Sequence, residues 1–508
     1  MLIIVFVGGV SSVGIELTAS RLLGPYFGTS TFIWANVIGL TLAYLSIGYY
    51  FGGKVADRWP SATLLYSITA VAGFFAGLIP ILSRPILETS LAAFDNVAVG
   101  AFYGSLVGVI LLFAVPVTLL GFVSPFAIRL RIDAVSDAGN TAGSLYALST
   151  IGSIIGSFLP VLLLIPLVGT YWTFYIFSIA LLVTSAIALL VVRRWLIAAT
   201  SAVLAVAVAL LAVFADISVI RPAPYGDLLY EAESEYNYIQ VVRNRDGSNL
   251  LALNEGHAVH SIYNPDTLLY GGPWDYFLVG PYFNPGATPE DVQRVAIIGL
   301  AGGTVAKQYT AGYGPIPIDG VEIDPDIVDV GRRYFDMNEP NLNVIVQDGR
   351  YFMRTTNQQY DVVGIDAYRQ PYIPFHLTTQ EFFREVQAHL TPDGVAIVNA
   401  GRTATDYRLV DVMASTMKSV FSNVYIIEVE RYANSIVIGT NQPTEISNFK
   451  ENIDRLQPGL IKAVGDISIA SGNIREWTET DPRLVFTDDH APVEQVVDQI
   501  IVGEALGQ

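Results

Sequence analysis

Three carboxylates and one glycine turn stand in an order that suggests nucleoside chemistry. The run VAIIGLAGG (295–303) is an apolar strand entering a glycine turn, with Gly299, Gly302 and Gly303 where backbone must come close to a ligand. Glu322 closes the next strand-like run, about twenty residues on, where a carboxylate can accept both ribose hydroxyls. Asp348, with Gly349 after it, ends a third run and can accept from an adenine amino group. Asp366 ends a fourth, facing the place of a transferred group. Singly, each carboxylate reads as readily as a cap or a turn residue. The turn Gly299-Leu300-Ala301-Gly302-Gly303 is not the dinucleotide pattern, and no Gly-Lys-Ser/Thr follows it. S-adenosylmethionine or a relative fits better than a dinucleotide or ATP.

The elements that must position these groups alternate between strand and helix over 291–508. The expectation is an α/β doubly wound, Rossmann-like domain of the S-adenosylmethionine-binding type. Ahead of it, 217–290 reads as a small β-hairpin module, with Asp246-Gly247 between alternating runs. Residues 1–216 read as a transmembrane bundle of about seven helices, near 2–22, 31–53, 62–83, 98–122, 142–166, 171–192 and 196–215. The first run lacks a basic leader and reads as a span rather than a cleaved segment. Gly152 and Gly156 are spaced for close helix packing. Glu16 lies inside a span and should find a partner such as Arg21.

The 508 residues are 52% hydrophobic and 15% charged, with the apolar excess in the first part. Residues 1–216 hold eight Lys/Arg and seven Asp/Glu, leaving 20 against 39 in the remainder. So acidic a remainder repels phosphate backbones, and no nucleic-acid partner is expected. The absence of cysteine excludes disulfides, thiolate catalysis and Cys-ligated zinc. His257, His260, His376 and His490 match no ligand spacing, and no metal is expected. Lys54 and Arg58, Arg129 and Arg131, and Arg193 and Arg194 follow alternate spans. That reads as a multi-pass cell-membrane protein with this side cytoplasmic and the acidic domain outside, while the opposite orientation, with the acidic domain in the cytosol, stays open.

The acidic part resembles the spermidine synthase family of aminopropyltransferases, and the whole chain resembles its membrane-fused members. The matching residues are ESEYNYIQV (233–241), LALNEG (251–256), IIGLAGGT (297–304), VEID (321–324), QDGRYF (347–352), YDVVGIDAY (360–368), HLTTQEFF (376–383), LTPDGV (390–395) and TDDHAPVEQ (487–495). GGKVADR (52–58) is similar to the first half of major facilitator transporters. The resemblance implies transfer of an aminopropyl group from decarboxylated S-adenosylmethionine to a small amine or polyamine. It implies Glu322 on the ribose, Asp348 and Gly349 on the adenine, and Asp366 on the reacting amine. Asn237 would stand near the ligand in place of a usual glutamine, and Tyr236, Tyr270 and Tyr368 would contact substrate.

Three departures from that family bear on substrate. Gly302 stands where an aspartate usually meets the donor's ammonium. Arg369 replaces the second aspartate of the fourth-strand motif, and Tyr270-Gly271-Gly272 replaces a Tyr-His-Glu pattern. Each lost charged hydrogen bond costs about 1–3 kcal/mol. Methyl transfer from intact S-adenosylmethionine is the nearest rival, because Gly302 leaves room for a carboxylate. A transporter-like or sensor protein with a non-catalytic nucleoside domain is the rival from another class. Asp488, Asp489 and His490 either line the pocket mouth or cap a terminal turn. The lipid bilayer is a partner on this reading, and assembly with further copies of the chain is left open.

Overall fold

The computed structural model describes residues 1–28, 31–94, 100–132, 138–214, 220–223, 225–254, 256, 258–368, 372–429, 431–479 and 481–505. It divides into two compact units, Met1–Pro222 and Ala223–Gln508.

The first unit is helical. Its elements are α1 (Leu2–Phe27), α2 (Thr31–Arg58), α3 (Ala62–Phe94), α4 (Gly100–Gly121), α5 (Val123–Arg131), α6 (Ala138–Leu159), α7 (Ile165–Val191) and α8 (Trp195–Phe214). Among the described residues, six continuous helical stretches are long and apolar enough to cross a bilayer. One of them, Ala138–Val191, runs for 54 residues. At about 1.5 Å per residue that far exceeds a hydrocarbon core of about 30 Å. Gly169 breaks it with φ 82° and ψ 169°, leaving two stretches that are each of crossing length.

Glycines set the helix spacing. A Cβ on Gly152 would strike the carbonyl oxygen of Phe6, and one on Gly156 that of Val10. Gly9 faces the Ser149 carbonyl in the same way, so α1 and α6 meet backbone to backbone. Gly156→Val is therefore expected to lower the thermal stability of the detergent-solubilised protein, by the about 1–3 kcal/mol typical of overpacking. Gly139→Val, at a position where an added Cβ meets nothing within 4 Å, should change little. Equal melting temperatures for the two variants would contradict this packing. Glu16 meets the hydroxyl of Thr41 on α2.

The basic clusters gather at one end of the bundle. Arg129 Nε is 3.0 Å from Asp57 Oδ1. One apolar cluster joins Ile4 and Val5 to Ala56, Leu65, Phe126, Leu145, Leu189 and Ala198, which are the α1 start, the α2 end and their neighbours. Arg221 Nη1 donates to the Pro25 carbonyl at 2.7 Å, so the segment after α8 is held at the other end of α1.

The second unit begins with a four-stranded antiparallel sheet: β1 (Asp227–Glu233), β2 (Tyr238–Arg243), β3 (Asn249–Leu253) and β4 (Val259–Tyr263), in that spatial order. The β2–β3 turn carries Gly247 at φ 84°. The main sheet holds β5 (Val295–Ile298), β6 (Ile318–Glu322), β7 (Leu342–Val346), β8 (Tyr360–Ile365), β9 (Leu390–Gly401), β10 (Asn423–Val429), β11 (Asn434–Thr440) and β12 (Ile474–Glu476). Their order is β12-β10-β11-β9-β8-β5-β6-β7. Strands β5 to β9 run parallel, and β10 to β12 extend the edge antiparallel. Helices α9 (Thr304–Tyr313), α10 (Pro325–Tyr334), α11 (Gly349–Thr355) and α12 (Gln380–Ala388) follow successive parallel strands. Alternate residues of β5 enter separate cores: Ala296 and Ile298 join one, Val295 and Ile297 the other. A sheet covered on both faces leaves its strand ends as the natural place for a ligand.

Candidate functional site

Strand β5 pairs with β6 on one side and β8 on the other, so the strand order reverses there. A crevice opens at the carboxyl ends of such neighbours. Gly299 leaves β5 at φ 86°, and a Cβ there would lie 2.6 Å from both the Ala367 nitrogen and the Asp366 oxygen. Glycine lets the β5 and β8 ends approach without strain.

A cavity of about 320 Å³ lies at this crevice. Tyr236, Asn237, Gly299, Glu322, Asp348, Gly349, Asp366 and Tyr368 line it. Glu235, His260, Gln347, Pro374 and His376 are there as well. Sequence reasoning assigned none of these five. Glu235, Gln347 and His376 carried a sequence signal, since they sit within the motifs ESEYNYIQV, QDGRYF and HLTTQEFF.

Gly302, Gly303 and Tyr270, also expected at the ligand, are not among the residues that line the cavity. The Gly302 N–H donates to Ser261 Oγ at 2.8 Å, and a Cβ on Gly302 would lie 2.9 Å from Ser261 Cβ and 3.0 Å from the Phe335 ring. The space that Gly302 was expected to leave for a carboxylate is thus filled by β4 and by the end of α10. Gly303 is the left-handed residue that starts α9 and packs on Met337. Tyr270 is buried in the core cluster with Trp274, and burial pushes its hydroxyl up to about 12. Asp488 also lies outside the lining, held instead by Arg350. Arg369 and His257 lie outside the described residues.

Each carboxylate is oriented by backbone or amide groups. Glu322 accepts from the Ala301 N–H at 2.9 Å and the Asp324 N–H at 3.1 Å. Burial nevertheless raises its pKa to about 7. Asp366 accepts from Asn399 Nδ2 at 2.8 Å, and burial raises it to about 7 against that bond. Tyr368 donates to the Asn399 carbonyl at 3.0 Å and accepts from the Gly401 N–H at 2.8 Å, which locks its ring beside Asp366. Asp348 caps α11, accepting from Arg350 N at 3.0 Å and Tyr351 N at 2.9 Å. Its other oxygen lies 2.9 Å from His376 Nε2, and that bond leads the causes holding it below the usual carboxylate range.

Asn237 lines the cavity with its amide already engaged. Its Nδ2 donates to Asp324 Oδ2 at 2.9 Å and its Oδ1 accepts from Asn254 at 3.1 Å. Ser234 also donates to Asp324, a fully buried residue that starts α10. The four-stranded sheet is thereby fastened to the floor that holds Glu322. Among the described residues, no cluster of three or more His, Asp and Glu could hold a metal ion.

The family described as "Spermine/spermidine synthase domain" matches residues 284–451, which include Glu322, Asp348 and Asp366. A "Polyamine aminopropyltransferase" of Vibrio vulnificus (strain CMCP6) is 32% identical over 225 residues, covering 42% of this chain and 71% of its own. This chain belongs to the spermine/spermidine synthase family. A "Probable polyamine aminopropyl transferase" of Bifidobacterium longum (strain NCC 2705) is 31% identical over 299 residues, 55% of this chain. The chain spans 65% of the length of that relative. A solved structure, "Crystal structure of a probable spermidine synthase from Corynebacterium glutamicum ATCC 13032", aligns over 48% of this chain and 94% of its own, with TM-score 0.39 and 20% identity. Within the family, the Asn237 and Tyr236 side of the cavity comes from outside the matched residues.

Proposed function

We propose that the second unit moves an aminopropyl group from decarboxylated S-adenosylmethionine to an amine or polyamine. One observation carries the reading. Glu235, Glu322, Asp348 and Asp366 open into one cavity whose described lining contains no lysine or arginine. Such a wall attracts the cationic ends of a decarboxylated donor and of a polyamine, and repels the carboxylate of intact S-adenosylmethionine. The filled space beside Gly302 removes the feature that favoured the intact donor. Membership of the family supports the same choice.

The roles proposed are those the family resemblance implies, and the shared cavity supports them. Glu322, aimed by the Ala301 and Asp324 amides, accepts the ribose hydroxyls. Asp348 and Gly349 meet the adenine. Asp366 faces the reacting amine, while Tyr368 and Tyr236 shape its approach. The amine nitrogen attacks the propyl carbon beside the sulfonium as the carbon–sulfur bond breaks. The sulfur leaves as the neutral thioether of methylthioadenosine, and the proton lost from nitrogen passes to Asp366. A base with a pKa near 7 is suited to that step at neutral pH. The direct test is methylthioadenosine release from the decarboxylated donor with a panel of diamines and polyamines. The expected result is an aminopropylated amine in equal amount; a methylated product from intact S-adenosylmethionine alone would refute it.

We also propose that the basic end of the bundle faces the cytoplasm, so that the second unit follows on the opposite side of the bilayer. The Arg129–Asp57 contact and the shared apolar cluster support one basic end, and the Arg221–Pro25 bond supports an exit at the other. The chain has no cysteine, so single introduced thiols report cleanly. In intact cells a membrane-impermeant maleimide should modify a cysteine at Gly286 and spare one at Arg58. The reverse pattern would overturn the orientation.

A further inference from the structure

The TDDH segment at 487–490 lies outside the cavity, and the proposed chemistry does not use it. It nevertheless holds the group that organises the adenine end of the pocket. Arg350 is only 6% exposed and sits two residues after Asp348. Its Nη1 and Nη2 donate to the two oxygens of Asp488 at 2.6 and 2.8 Å. Its Nε and Nη2 donate to Glu385 on α12 at 3.0 and 2.9 Å. Thr379 Oγ1 adds a 2.7 Å bond to Asp488. Planar two-point pairing of this kind fixes orientation as well as charge.

A further Arg350 contact points to function. Nη1 also donates to the backbone carbonyl of His376 at 3.2 Å. The ring of the same His376 meets Asp348 Oδ2 at 2.9 Å, and both residues line the cavity. The backbone N–H of Arg350 meets the other oxygen, Asp348 Oδ1. One guanidinium thus fixes the turn that carries His376, and its own amide fixes the carboxylate that His376 touches. A carboxylate oxygen has two lone pairs, so Oδ2 can keep His376 and still accept an adenine N–H.

We propose that Asp488, acting through Arg350 and His376, is a positioning residue for donor binding: the C-terminal segment holds the Asp348 carboxylate in the rotamer that receives the nucleobase. This rests on the reading of Asp348 as the adenine-binding carboxylate. Asp488→Asn keeps the shape and removes the charge that holds Arg350. His376→Ala removes the last link while leaving all the Arg350–carboxylate bonds intact.

The test is calorimetric titration with methylthioadenosine, together with KM and kcat for the decarboxylated donor, below the melting temperature of every variant. Both substitutions should raise Kd and donor KM about tenfold, as for loss of a charged hydrogen bond, with kcat within about twofold. Asp488→Glu should recover part of the loss. A Kd equal to wild type in both variants, whatever the melting temperature does, overturns the inference and leaves a structural clamp only. A fall in kcat with unchanged KM overturns it too. If Asp488→Asn fails to fold, His376→Ala is judged by the same criteria. Failure of the wild-type protein to bind methylthioadenosine would instead bring down the aminopropyl-transfer reading, and this inference with it.

Discussion

Replacing Asp366 by asparagine should lower kcat by about 10²–10⁴-fold, the usual worth of a positioned general base, while donor affinity stays close to wild type. Asparagine keeps the size of the side chain and an oxygen for the Asn399 Nδ2 donor, so the cavity wall should hold its form. What is lost is the proton acceptor. The wild-type acid limb follows from the same group: with its pKa raised to about 7, activity falls about tenfold per unit below that pH. The stability effect has the opposite sign. A carboxyl whose folded pKa is raised stabilises the fold below its unfolded pKa, and that contribution disappears as pH rises through about 7. The variant, which never ionises there, should melt higher than wild type at alkaline pH, by about 2–4 °C for a gain near 1 kcal/mol. Steady-state kinetics and thermal unfolding across pH check both halves. An active variant, or one that melts lower at alkaline pH, would contradict the role and the environment assigned to Asp366.

Glu322→Ala should cost more in binding than in chemistry. The carboxylate is expected to accept two ribose hydroxyls, and it already holds the Ala301 and Asp324 N–H groups. Truncation removes the ligand contacts and leaves two backbone donors to water. Two lost charge-assisted bonds predict a donor Kd about 10²-fold or more above wild type. Glu322→Gln should lie between, since an amide oxygen can still accept one bond. Burial raises the wild-type carboxyl to about 7, so donor affinity should also fall as pH drops below neutral. Isothermal titration with methylthioadenosine reads all three. Unchanged affinity in the alanine variant would mean that the nucleoside does not sit at the β6 end.

The strand-terminal groups were legible because a buried parallel strand announces itself. VAII and VVGI are apolar runs, and the residues after them, Gly299 and Asp366, line the crevice, while Glu322 closes its strand at the offset expected of a ribose-binding carboxylate. The same logic gave the turn at Gly247, where a local φ requirement selects the residue type. What stayed illegible involves partners far away in the chain. Gly302 looked like open space because nothing in GLAGG announces Ser261, which is 41 residues earlier, or Phe335. Tyr270 was carried over from the family's Tyr-His-Glu pattern, and nothing local shows that its ring packs in the core with Trp274. His376 and Glu235 were passed over for a related reason: their place in the cavity depends on how turns fold over the strand ends. Arg350 and Asp488 are 138 positions apart, and no local pattern joins them. The antiparallel strands β10 to β12 were unassigned because their pairing is fixed by neighbours rather than by their own periodicity.

The most direct measurement is calorimetric titration of the intact, detergent-solubilised protein with decarboxylated S-adenosylmethionine, intact S-adenosylmethionine and methylthioadenosine. An acidic cavity built for a cationic donor predicts that the decarboxylated form and methylthioadenosine bind, that both lose affinity in Glu322→Ala, and that the intact form binds at least about tenfold more weakly. Binding of the intact form in preference to the decarboxylated one, or no binding of any of the three, would contradict the assignment of this cavity to aminopropyl transfer.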